Sequence, residues 1–160
     1  MTNHVTIDVE NLAGTEALGR RLGSLLFPGA VVALIGQLGA GKTHFVRAIA
    51  VGLDIANPRV VNSPTFVLCQ EYNARLPIAH FDAYRLRNAQ DFADLGVMEL
   101  YEEGVALIEW ADRVEAVLPA EHLRITIEVV DESRRRFVIE GRGDRYAELV
   151  GLLSIDFRST

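Results

Sequence analysis

Hydrophobic and polar positions follow two periods along this chain, and the switches between them mark out its elements. Residues 5–9 (Val-Thr-Ile-Asp-Val) alternate strictly and predict a half-buried edge strand. Residues 11–26 change to helical spacing, with Leu12, Leu18, Leu22, Leu25 and Leu26 in the pattern and Thr15 and Glu16 in the first turns. Residues 30–35 are an unbroken apolar run between Pro28-Gly29 and Gly36, the mark of a strand buried on both faces. A helix is predicted over 44–53, where Phe45, Val46, Ile49, Ala50 and Leu53 share one side and Gly52 stands near the end.

Pro58 and Ser63-Pro64 then punctuate a loop over 57–64. Residues 66–72 and 78–81 read as two strands of a hairpin joined by 73–77. Short helices are predicted over 89–95 and 97–102, separated by Gly96. The apolar run 105–108 is another buried strand and ends in Glu109-Trp110. Residues 111–117 are helical and stop before Pro119. Residues 123–130 and 136–140 alternate around Asp131-Glu132-Ser133, which makes a second hairpin, and a helix over 144–153 closes the chain. Strands and helices alternate, yet hairpins intrude. The expectation is an α/β fold of the P-loop NTPase kind: a mixed sheet, parallel plus antiparallel, with helices on both faces, in a single domain spanning 1–160.

Composition narrows the class. Apolar residues make up 49% and charged residues 24%, values ordinary for a soluble globular domain. No apolar run has the length of a membrane span, and Met1-Thr2-Asn3-His4 lacks the plan of a signal peptide. The single cysteine, Cys69, is expected in the core, and the cytoplasm is the expected compartment. A net charge of −6 repels nucleic acid over the surface as a whole, so no DNA partner is expected. One basic cluster stands out, Arg134-Arg135-Arg136. It reads either as a solvated hairpin turn or as a contact to a nucleotide or an RNA partner.

The sharpest chemical signal is a lysine. Of sixteen basic side chains only Lys42 is not arginine, and it lies in Gly36-Gln37-Leu38-Gly39-Ala40-Gly41-Lys42-Thr43. That octet fits the phosphate-binding loop G-x-x-x-x-G-K-[ST], here between a predicted strand and a predicted helix as the motif requires. Its glycines let backbone N–H groups converge on an anion, and the helix N-terminus adds its positive end. A compact ammonium reaches between β- and γ-phosphates where a planar guanidinium would be too bulky. Thr43 would place its hydroxyl on Mg²⁺. The loop therefore predicts a bound nucleoside triphosphate.

Hydrolysis also needs a strand-end carboxylate for the metal. Glu109 and Asp82 both qualify, since ligands lie beyond strand C-termini in open α/β sheets. Glu109 is favoured because its strand is the more apolar. Asp82 then stands behind the metal or orients the attacking water, or is simply a helix N-cap before Tyr84-Arg85-Leu86. His80 shares a strand face with Asp82 and is either a core histidine or a base. Trp110 is either packing or a wall against nucleotide or partner. Thr65, in Ser63-Pro64-Thr65-Phe66, occupies the place of a first switch that senses γ-phosphate and Mg²⁺, or belongs to a proline turn. With no second lysine the chain lacks the Asn-Lys-x-Asp segment of guanine-specific switches, so adenine is the expected base.

The octet, Ser63-Pro64-Thr65-Phe66, the run from His80 to Leu86 and Ile108-Glu109-Trp110 together resemble the bacterial TsaE family. Its members are small P-loop ATPases of tRNA threonylcarbamoyladenosine synthesis. The resemblance spans roughly Thr15 to the strands near residue 140. It implies an ATPase using ATP and Mg²⁺, slow alone and stimulated by partners. Those partners are TsaD and TsaB, which modify a tRNA adenosine beside the anticodon, so tRNA is met only indirectly. By position, Leu38, Gly39, Ala40, Gly41, Lys42 and Thr43 would hold phosphates, and Thr43 and Glu109 would hold Mg²⁺. Asp82 and Trp110 would be the active-site acid and aromatic, and Thr15 would lie near the base. Lys42, Asp82 and Glu109 are thus the candidate catalytic set. Gln37 stands where the family is commonly acidic, and His44 replaces a small hydroxyl residue. Arg85 and Arg113 are candidates for an arginine finger. Two rival readings remain: a small-molecule P-loop kinase, although no arginine-rich lid segment is present, and a nucleotide-gated binding module.

Overall fold

The computed structural model describes residues 2–37, 41–62, 69–84, 86, 88–94 and 102–157. Strand β1 (Thr2–Val9) buries Ile7 and Val9 and exposes the residues between, as its alternation dictates. Asn11 then caps α1 (Leu12–Leu25), its side chain accepting the Gly14 N–H at 3.0 Å. There follow β2 (Val31–Gly36), α2 (Lys42–Gly52), a 3-10 turn at Pro58–Val60, β3 (Cys69–Tyr72) and β4 (Ile78–Asp82). The rest of the chain supplies α3 (Ala89–Ala93), β5 (Val105–Glu109), a 3-10 helix at Ala111–Val117, β6 (His122–Val129), β7 (Arg135–Arg142) and α4 (Asp144–Phe157).

Among the described residues the seven strands form one sheet in the order β1-β7-β6-β2-β5-β4-β3. The four central strands β6, β2, β5 and β4 are parallel, and antiparallel pairs flank them on both sides. This is the mixed sheet expected from continuous apolar runs interrupted by hairpins. Alternate residues of the central strands feed two cores. Val32, Leu34, Leu107 and Ile125 pack beneath α1, α2 and α4. Val31, Ala33, Ala106 and Ile108 meet Phe92 of α3 and Val114 of the 3-10 helix on the opposite face. Where β6 continues beyond that second layer, Arg124 and Thr126 are part-exposed and Glu128 is exposed. No helix among the described residues is long and apolar enough to cross a membrane.

Several boundaries differ from the sequence expectations. The 111–117 segment is a 3-10 helix kinked at Val114 (φ −122°, ψ 16°). The 57–64 loop holds the Pro58–Val60 turn, with Asn57 accepting the Arg59 N–H at 3.1 Å. Leu12, placed on the buried face of α1 by its spacing, is 50% exposed at the helix start. Cys69 is half-buried on the sheet margin instead of in the core, and burial pushes its thiol up to about 11. Residues 66–68 and the helix expected over 97–102 fall outside the described residues, apart from Glu102, which lies in a turn.

α1 and α2 cross at backbone contact. A Cβ on Gly23 would overlap the Ile49 carbonyl, and one on Gly52 would overlap that of Arg20. Replacing Gly23 by Ala is therefore expected to destabilise the fold by about 2 kcal/mol. Overpacking of roughly 1–3 kcal/mol outweighs a helix-propensity gain of at most ~1 kcal/mol. A urea midpoint equal to or above that of the unaltered chain would contradict the close crossing.

Candidate functional site

The pairing of β2 with β5 sets the site. Leu34 of β2 lies opposite Glu109, the last residue of β5, and Asp82 ends β4 directly beside Glu109. β2 runs on to Gly36, so its end lies at the same margin of the sheet as both carboxylates. Gly41 adopts a left-handed conformation (φ 96°) with open space where a Cβ would be, so its backbone alone demands glycine there. That residue turns the chain into α2, whose first-turn N–H groups face the loop with the positive end of the helix.

Lys42 is 5% exposed and folds back on the loop. Its ammonium donates to the carbonyls of Gly36 at 2.6 Å and Gln37 at 3.1 Å, and stands 4.0 Å over the Trp110 ring. Burial lowers its pKa, and the carboxylates of Glu109, Asp82 and Asp112 work against that shift. One residue on, the Thr43 hydroxyl donates to both Glu109 oxygens at 3.3 and 3.4 Å. Glu109 is 3% exposed, and His80 Nε2 lies 2.5 Å from its Oε2. Asp82 is half-buried, and its Oδ1 accepts the Tyr84 N–H at 2.9 Å, so it pins the turn after β4 and caps no helix. Burial raises its pKa, only partly offset by that hydrogen bond.

Trp110 has a left-handed backbone (φ 58°), which non-glycine residues adopt at a cost. The turn swings its ring under Lys42 on one side and against Tyr84 (4.8 Å) on the other. Arg113 stacks over the far face of Tyr84 at 4.9 Å, so in this state its guanidinium is held at a ring. Tyr72, which joins the site through His80, had no signal in the sequence, and Tyr84, which joins through Trp110, stood in the His80–Leu86 run without a role of its own. Their rings arrive by strand register and turn geometry alone.

Two cavities flank the loop. One of about 420 Å³ is bounded by Leu12, Thr15, Gly41, His44, Glu132 and Arg135. The other, about 640 Å³, lies on the opposite side between Gly36-Gln37, Trp110, Asp112 and Glu128. The basic cluster is mostly engaged. Arg134 pairs with Asp131 at 2.6 Å and Arg136 with Asp8 at 2.8 Å, while Arg135 reaches the first cavity and donates to the Asp131 carbonyl at 2.7 Å. Hydrogen bonds from Arg134 and Ser133 hold Asp131 down at about 2.

The geometry thus brings Gly41, Lys42, Thr43, Asp82, Glu109 and Trp110 together, with Thr15 across the edge at Gly41. Leu38, Gly39, Ala40, Thr65 and Arg85 lie outside the described residues. Among the described residues no cluster of three or more His, Cys, Asp and Glu side chains is poised for a metal.

The model of the family described as "Threonylcarbamoyl adenosine biosynthesis protein TsaE" matches residues 9–137. A tRNA threonylcarbamoyladenosine biosynthesis protein TsaE of Bacillus subtilis (strain 168) is 41% identical over 142 residues, covering 88% of this chain and 87% of the relative. The protein of the same name from Aquifex aeolicus (strain VF5) is 36% identical over 129 residues, covering 80% and 90%. The crystal structure of Bacillus subtilis YdiB superposes with a TM-score of 0.80 at 33% identity, covering 98% of this chain and 97% of that one.

Replacing Asp82 by Asn tests the carboxylate's environment. The raised pKa means that the folded state favours the protonated acid. Stability from that preference is present below 3.8, the ordinary value, and is lost as pH rises through the raised folded value. Asp82→Asn should therefore be more stable than the unaltered chain at neutral pH, with the gap closing toward pH 4. Urea midpoints across that range measure it, and a gap that widens on acidification would overturn the assignment.

Proposed function

Because the chain belongs to the TsaE family of tRNA threonylcarbamoyladenosine biosynthesis proteins, we propose that it is the ATP-binding and ATP-hydrolysing subunit of that modification. It would act with TsaB and TsaD in the cytoplasm and meet tRNA only through them. The observation that carries this reading is the contact of Thr43 from α2 with Glu109 from β5, with the Lys42 ammonium beside them over the Trp110 ring.

The loop with Gly41, Lys42 and Thr43 would cradle the phosphates, together with Leu38, Gly39 and Ala40. Lys42 would exchange its carbonyl partners for β- and γ-phosphate oxygens, a swing of its terminal atoms only. The adenine side would fall in the cavity at Thr15, where His44 and Arg135 add polar edges. Thr43 and Glu109 suit Mg²⁺ in donor type: a hydroxyl and one carboxylate, with nucleotide phosphates completing the shell. Bound there, the ion would neutralise charge on the β- and γ-phosphates. Asp82, beside Glu109 and at the cleft margin, would orient the attacking water, and Thr65 would sense the γ-phosphate. Trp110 would wall the phosphate side and guide Lys42.

A net charge of −6 supports an indirect relation to tRNA, since phosphate contacts need a more basic surface. The arginine cluster does not supply one, because Arg134 and Arg136 are paired to aspartates.

Phosphate release from ATP, measured with and without TsaB and TsaD, tests the proposal. Stimulated release supports it. Transfer of phosphate to a nucleoside instead of water would replace it with a kinase, and tight binding without release would replace it with a binding module. Lys42→Ala should reduce turnover by about 100-fold or more, because no second lysine is available. Wild-type rates in that variant would remove the site. Glu109→Gln should depress Mg²⁺-dependent turnover more than metal-free nucleotide binding. An equal loss in both would move the metal role to Asp82.

A further inference from the structure

Glu109 is not held by the phosphate loop alone. β4 and β5 are parallel, with His80 opposite Leu107 and Asp82 opposite Glu109, so His80 is the diagonal neighbour of Glu109 on the face that carries α2. Its Nε2 lies 2.5 Å from Glu109 Oε2 and its Nδ1 lies 3.0 Å from the Tyr72 hydroxyl. The Tyr72 hydroxyl donates in turn to Gln70 Oε1 at 2.6 Å, and the Asn62 backbone contributes a hydrogen bond to it. A hydrogen-bonded row therefore runs from Gln70 on the sheet margin through Tyr72 and His80 to Glu109 and Thr43.

Two observations decide what this row does. His80 is 0% exposed, so its ring has no path to an attacking water and cannot serve as the base. Both ring nitrogens are engaged, which fixes the plane of the imidazole and distinguishes it from a histidine that merely fills space. A glutamate carboxylate turns freely about its last bond, and only a partner behind it decides which edge it presents.

We propose that His80, steadied by Tyr72, is a positioning residue that sets the orientation of the Glu109 carboxylate toward Thr43, and with it the affinity of the site for a divalent cation. This rests on the metal role given to Glu109 above. It assigns His80 and Tyr72 a part in cation binding and no contact with ATP. Groups that orient a metal-holding carboxylate typically change metal affinity by roughly 10–100-fold when removed.

The test uses the purified full chain and reads ATP binding by the fluorescence of Trp110, the sole tryptophan, in Mg²⁺ and in EDTA. His80→Gln keeps an N–H near the position of Nε2, facing Glu109. His80→Asn keeps one near Nδ1, facing Tyr72, and leaves the carboxylate without its partner. The half-saturating Mg²⁺ concentration is expected to rise by roughly 10–100-fold in His80→Asn and by only a few-fold in His80→Gln, with Tyr72→Phe between them. ATP affinity in EDTA should stay near that of the unaltered chain in all three. Equal Mg²⁺ dependence in the Gln and Asn variants would overturn the positioning role, as would losses of the same size with and without Mg²⁺. If the unaltered chain bound ATP without any Mg²⁺ dependence, the metal role of Glu109 and this inference would fall together. Normal dependence there, with indifferent variants, would remove this inference alone.

Discussion

A carboxylate buried at the end of a central strand constrains everything around it. Glu109 is 3% exposed, and an ionised group at that depth is tolerated only with hydrogen-bond partners on its oxygens. Thr43 supplies them from one side and His80 from the other. Each comes from a different element, so the requirement ties α2, β4 and β5 into one geometry. The parallel pairing of β2 with β5 makes this possible, because it brings a loop and a strand end to the same margin of the sheet. In an antiparallel pair, the strand end beside Gly36 would have been an N-terminus.

The two halves of the sheet divide the work accordingly. The parallel strands β2, β5 and β4 are buried on both faces and hold the charged centre rigidly. β6, parallel to β2 on one side and antiparallel to β7 on the other, joins β7 and β1 in covering α1 and α4 with one face, and its other face carries polar residues. Their contribution to the site is a turn. The connection from β6 to β7 carries Glu132 and Ser133 to the cavity at Thr15 and Gly41, and Arg135 joins them from the start of β7. α1, pressed against α2 at Gly23 and Gly52, supplies the opposite wall, so the cavity's width depends on that helix crossing.

Much of this was legible in the sequence because its signals are local. The apolar runs at 30–35 and 105–108, the glycine octet and the carboxylate after the second run are each contained in a few residues. What stayed hidden is whatever depends on register between distant strands. His80 shares a face with Asp82 in any strand model. That its ring meets Glu109, which is 29 residues away, requires β4 to pair with β5 in one specific offset. Tyr72 is further removed, since it reaches the site only through His80. The kink at Val114 and the left-handed Trp110 were invisible for a related reason: composition favours a helix after Ala111, but the chain must first leave β5 and bring a large ring under Lys42. Tertiary demand overrode local preference at the same residues that build the site.

The one lysine is best understood from its partners in this state. A buried ammonium without acceptors would be expensive, and Lys42 has two carbonyls and an aromatic face. Those partners are adequate and replaceable. The three donors of an ammonium converge on one atom, so a small rotation about the last bonds would suffice to exchange carbonyl oxygens for the phosphate oxygens of the proposed nucleotide. A guanidinium spreads its donors in a rigid plane and would have to reorient the whole side chain to do the same. A chain that uses arginine for every other fixed positive charge thus has a physical reason to keep a lysine at this position.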